Sequence, residues 1–122
     1  MVPELPPTEP GQPGAVRIVF VTAPPDTATE LARRLVEERL AACANVIPGL
    51  RSIFRWKGAV QDEPETLLVM KTQEARLTAL MERVLALHPH DTPEVIALEP
   101  SAGLPAYLAW VVAETTADEA PE

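Results

Sequence analysis

Cysteine is scarce in this 122-residue chain. It occurs once, as Cys43, so no internal disulfide can form and a reducing, cytoplasmic setting is the easier expectation. The five glycines are scattered at 11, 14, 49, 58 and 103, which leaves no Gly-rich loop to cradle a phosphate. HExxH and paired-cysteine metal motifs are missing as well. The chain has no 18-residue apolar run and no basic-then-apolar leader, so neither a membrane span nor secretion is expected. Lys and Arg are few, and all ten fall between Arg17 and Arg83 without forming a basic patch. Nucleic acid is therefore not an expected partner.

Apolar residues make up 47% of the chain, enough for the core of one domain. The net charge of −8 belongs mainly to the ends. Six of the eighteen acids, Glu4, Glu9, Glu114, Asp118, Glu119 and Glu122, lie outside residues 15–113, leaving twelve acids against ten bases within. Residues 1–14 hold five prolines and two glycines and read as a disordered leader, with PP ligand motifs as a lesser possibility. Residues 115–122 read as an acidic tail, and 15–114 as the folded domain.

Within that domain the elements follow one another clearly. Val16–Thr22 has apolar residues on both faces, as a central strand does. Thr27 and Glu30 have the spacing of a capping box, and the helix after them carries apolar residues at 28, 31, 32, 35, 36, 40 and 43. Arg33 and Arg34 could hold an anion, but a solvated face with i,i+4 pairs is the simpler reading. An overlong strand then runs to Lys57, bent at Pro48-Gly49. Gly58–Pro64 reads as a long hairpin loop and Glu65–Thr72 as the returning strand. A second helix spans about Gln73–His88 and stops at Pro89; Pro93–Leu98 is a short last strand. A third helix, Pro105 to about Glu114, is apolar nearly all round and needs cover.

The order is βαββαβ plus a C-terminal helix, the α+β, ferredoxin-like pattern. Its two main helices belong on one face of an antiparallel sheet. The other face would be bare in a monomer, and the strand beyond Pro48-Gly49 outruns so small a sheet. Both features point to self-association, for which a threefold ring is one closed solution.

Three groups of residues are candidates for chemistry. His88, His90 and Asp91 offer imidazole and carboxylate ligands suited to copper or zinc; the alternative makes His88 a helix cap and His90 a loop residue. Cys43, placed in the helical apolar stripe, reads as a small buried hydrophobe before it reads as a ligand. Trp56, Asp62, Glu63, Lys71, Tyr107 and Trp110 combine aromatics with a few charges, as a small-ligand cleft does; the alternative makes them core or interface anchors. No nucleophile–base constellation is visible, so binding is expected in place of catalysis. An acylphosphatase-like outline is weak, since Arg33 and Arg34 are helical and fold does not give function.

ERLAACANVIPG at 38–49 and SIFRWKG at 52–58 resemble the signature of the CutA family of divalent-cation tolerance proteins. VTAPP at 21–25, LHPHDTPEVIAL at 87–98 and PAYLAW at 105–110 agree in the same order. The match covers about Val16–Val112. It implies a trimeric, PII-like assembly, divalent-cation tolerance with copper as a possible ligand and no required cofactor, and clefts between subunits near Trp56, Glu63 and Lys71; Tyr107 is assigned to the same ligand cleft from the residues alone. Two departures stand out: His90 occupies a position that is often Tyr, and Val21 stands where some relatives carry a second Cys, so a copper(I) site built on that thiol is not available here. A PII-like sensor of a small anionic metabolite, or a structural trimer anchoring a partner protein, are the other functions weighed.

Overall fold

The computed structural model describes residues 15–116. The expected Pro-rich leader and most of the expected acidic tail lie outside them. The elements are β1 (Val16–Ala23), α1 (Pro25–Glu37), β2 (Cys43–Trp56), β3 (Ala59–Gln73), a 3-10 turn (Glu74–Arg76), α2 (Leu77–Leu87), β4 (Val95–Leu98) and α3 (Pro105–Glu114). One four-stranded antiparallel sheet has the order β2-β3-β1-β4, the ferredoxin-like α+β arrangement with an added helix.

The strand period decides where the core lies. Val19, Val21 and Ala23 of β1 are fully buried. Val19 and Val21 stand opposite Met70 and Leu68 of β3, and this face packs on Ala28, Leu31, Ala32 and Leu35 of α1 and Leu80 and Val84 of α2. Val16 points the other way and packs with Ala42 and Val111, so α3 covers one end of the opposite face. The remainder of that face is open: Ile47, Ile96 and Leu98 are exposed.

Two local structures differ from expectation. α1 begins at Pro25, without a Thr27–Glu30 box; Pro24 is the N-cap, no side chain caps it, and the Thr27 hydroxyl donates to Asp26. Proline in the first turn has no N–H to satisfy and a preset φ, so the helix starts earlier. The hairpin loop is Lys57-Gly58 alone, with φ of 49° and 80°. Two successive left-handed residues make a type I′ turn, whose twist matches the strands it joins. Residues 59–64, read as loop, belong to β3. Pro64 is tolerated there because β1 pairs only with Thr66–Gln73, leaving one edge of β3 free. β2 and β3 therefore extend past the sheet as a two-stranded arm. The bend at Pro48-Gly49 holds: the register shifts between Ile47 and Leu50, and Gly49 has φ 88°.

Arg39 ends α1 in the left-handed region, φ 60°, a place glycine usually fills. A Schellman motif holds it: Leu40 N–H donates to Leu35 and Arg39 N–H to Val36, while Leu35 and Leu40 join the same core. Glu38, just past the helix, receives both Nε and Nη of Arg83 at 2.8 and 2.9 Å, tying α1 to α2. The Arg83 guanidinium holds the Glu38 carboxyl below its usual range. At the opposite end Thr115, counted above with the tail, is fully buried and bonded to Val111 and Gln73. Gln73, expected to open α2, ends β3, and β4 begins two residues later than expected.

Candidate functional site

The arm, the start of α1 and the loop after α2 enclose a cavity of about 620 Å³. Each wall has a local cause. Residues at paired positions of β2 and β3 share a face, and Phe54–Gln61, Ser52–Glu63 and Leu50–Glu65 are paired. Phe54, Trp56, Gln61, Glu63 and Glu65 accordingly line the cavity together from the arm. Pro24 and Pro25, where β1 gives way to α1, form a second wall, and Pro89, His90, Asp91 and Thr92 a third. Asp62 points away and pairs with Arg51 on the other side of the arm.

The third wall is held by His88, which is 7% exposed. Its Nδ1 accepts the His90 backbone N–H at 3.0 Å, which leaves Nε2 as the donor to the Thr22 carbonyl at 2.8 Å. The ring thereby clamps the loop to the end of β1, and it lies 4.8 Å from the His90 ring, centroid to centroid. Both its nitrogens are committed, so ligation by His88 requires breaking one of these bonds. His90 and Asp91 are exposed and face the cavity. Among the described residues, no three His, Cys, Asp or Glu side chains stand close enough to hold one metal ion.

The expected cleft residues separate in a single copy. Trp56 and Glu63 line the cavity, whereas Lys71 lies eight residues along β3 from Glu63, about 26 Å at strand rise. There Lys71 stands opposite Cys43 and its ammonium donates to the Asn45 side chain. Tyr107, on α3, joins this second group. Cys43 is the first residue of β2, half-buried on the sheet face opposite α1, and not part of the helical stripe; its sulfur is 3.4 Å from the Tyr107 hydroxyl. Trp110 stacks at a tilt against Tyr107, 5.7 Å between centroids, and is itself exposed.

The hydrogen bond to Cys43, then burial, then the charge of its thiolate push the Tyr107 phenol up to about 12. A raised folded-state pKa means that the folded chain holds this proton more tightly than the unfolded one. The contribution to stability is complete below the ordinary tyrosine value of about 10 and is lost as pH climbs toward the folded value. Tyr107 is the chain's single tyrosine, so an ultraviolet titration reads it alone. Cys43→Ala should move that midpoint back toward about 10; an unmoved midpoint would show that the sulfur does not hold the phenol.

A family model described as CutA1 divalent ion tolerance protein matches residues 17–114. The chain belongs to the CutA1 family. It is 47% identical over 95 residues to the divalent-cation tolerance protein CutA of Thermus thermophilus, covering 77% of this chain and 92% of that one. It is 46% identical to the mouse Protein CutA over 113 residues, covering 89% of this chain and 64% of the relative, and so spans about two thirds of that protein's length. Among solved structures, a divalent cation tolerance protein from Thermus thermophilus superposes with a TM-score of 0.80 at 45% identity, covering 83% of this chain and 99% of that one. A Nostoc structure described as a PII-like CutA does so with 0.79 at 36%, covering 84% and 99%. CutA1 relatives include chloroplastic and periplasmic proteins by name, and no helix among the described residues is long and apolar enough to cross a membrane.

Sequence reasoning missed Glu65, Gln61 and the prolines of this cavity. Glu63 and Glu65 are two apart, the spacing that puts both on one face of a strand. Reading 58–64 as loop hid that signal.

Proposed function

We propose that this CutA1 chain is a cytoplasmic homotrimer that binds and does not catalyse, contributing to divalent-cation tolerance through ligands held in clefts between copies. The open sheet face carries the reading: Ile47, Ile96 and Leu98 are 42–50% exposed there, and Phe54 and Trp56 are exposed on the overhanging arm. A lone chain has no use for so much apolar surface on an otherwise regular sheet, and further copies would cover it. A second copy would also allow the Trp56–Glu63 group of one subunit to approach the Lys71–Tyr107 group of the next. The names of the relatives support the cation role. The acidic lining of the cavity, Glu63, Glu65 and Asp91 against Lys57 and His90, disfavours a small anionic metabolite there.

For copper, the ligands offered are His90 and Asp91, with a carboxylate of a neighbouring copy or a released His88 completing the set. Copper(II) ranks above zinc for imidazole nitrogen, and ligation requires the neutral ring, so binding should weaken on acidification. Copper affinity measured by competition at neutral pH should fall about tenfold or more in His90→Ala and stay unchanged in Cys43→Ala. Loss in the cysteine variant with His90→Ala unaffected would move the site to the thiol.

A further inference from the structure

The cavity holds a carboxylate that makes no ion pair among the described residues: acids outnumber the cationic side chains of the lining, Glu63, Glu65 and Asp91 against Lys57 and His90. Glu65 is 7% exposed, lines the cavity, and has no hydrogen-bond donor or cation on its side chain among the described residues. Carboxylates on side chains this covered are normally paired. On the arm, Arg51 and Asp62 are taken up with each other, and Lys57, which lines the same cavity eight residues away from Glu65 around the turn, makes no ion pair with it. What faces Glu65 is the cavity itself.

The rest of the lining narrows what the missing partner can be. Glu63 adds a second carboxylate on the same strand face, and Phe54 and Trp56 add two exposed aromatic rings. A hydrated metal ion wants several hard ligands at short range, and the described acids and imidazoles do not converge in that way. An organic cation wants a carboxylate for its charge, ring faces for its polarised C–H groups and apolar walls for its body. Prolines 24, 25, 64 and 89 supply the walls without side-chain entropy to lose. A volume of about 620 Å³ accommodates a small molecule, far more than an ion.

We propose that this cavity binds a small organic ammonium compound, its charged nitrogen against Glu65 and its carbon skeleton over Trp56 and Phe54. The inference rests on the reading of the cavity as a ligand site and names the ligand class for it. It gives this member of the family a role as a carrier or sensor of amines, beside any role with metal ions.

A pair of equal-sized probes of opposite charge tests it. The full chain is titrated with cyclohexylammonium chloride and with sodium cyclohexanecarboxylate, monitored by calorimetry and by the Trp56 indole N–H resonance. The ammonium should bind and shift that resonance, and the carboxylate should do neither. Glu65→Gln keeps the shape and removes the charge; it should weaken the ammonium about tenfold or more, the worth of one charge-assisted hydrogen bond. Trp56→Leu should weaken it too, and Glu82→Gln, on the exposed side of α2, should not. Equal binding of both probes, unchanged affinity in Glu65→Gln, or no binding of either probe because another copy's cation fills the cavity would each overturn the proposal. Copper competition and light scattering on the same samples keep the two readings apart. A trimer that binds copper and ignores the ammonium refutes only this inference; a monomer that binds the ammonium through Glu65 refutes only the earlier one.

Discussion

Leu68→Ala should cost about 2–5 kcal/mol of folding stability, the largest loss expected from any single truncation in this chain. Leu68 is fully buried at the centre of β3, opposite Val21 of β1 and Val46 of β2, beneath the two-helix layer. Truncation removes its transfer energy and leaves a void that neighbours on three elements cannot all collapse into. At about 4–8 °C per kcal/mol for a domain of this size, the melting temperature should drop by about 10 °C or more. Leu85→Ala is the control: the side chain is 57% exposed on the outer side of α2 and should change stability by under about 0.5 kcal/mol. Both variants must be compared at one protomer concentration, because the proposed assembly would add a concentration-dependent term. Equal melting of Leu68→Ala and the parent chain would mean that the core has been misplaced.

Long-period features of this fold were legible and local punctuation was less so. Val19 and Val21 alternate with Ile18 and Phe20, which was enough to make β1 central, and β1 does lie between β3 and β4. Pro48-Gly49 announced its bend because no other pair so clearly breaks a strand. The opposite happened at 58–64. Asp, Glu and Pro in succession look like a turn, yet on an arm free at one edge they cost the ladder little, and the two-residue turn needed only Lys57 and Gly58. The same misreading concealed Glu65. Lys71 and Glu63, expected at one cleft between subunits, lie about 26 Å apart by strand rise in one copy, so only a second copy could bring them together. Cys43 failed for a related reason: the helical stripe was continued through a Schellman turn that ends α1 at Glu37. His88 was legible as a histidine of consequence, but its role as a clamp depends on Thr22, 66 residues away, which no local pattern reports.

Ile96→Asp should break the assembly while leaving the protomer folded. Ile96 lies on β4, an edge strand, paired with Phe20 and pointing to the face opposite α1 and α2. It is 50% exposed in a single chain, so a carboxylate there stays hydrated in the monomer. Covered by another copy it would lose that water without gaining a partner, at several kcal/mol per ion. Three copies at about 3 kcal/mol each lower the assembly constant by about a millionfold. Light scattering at micromolar concentration should therefore report a trimer for the parent chain and a monomer for Ile96→Asp, with the circular dichroism of the two alike. Leu85→Asp, on the helical side, should remain trimeric. A parent chain of monomer mass would remove the reason for the open face. A trimeric Ile96→Asp would move the interface elsewhere, with the arm beyond Pro48-Gly49 as the next surface to charge. Dissociation there, with Trp56→Asp for example, would place the contact on the same residues that line the cavity, so that assembly and ligand binding would share one surface.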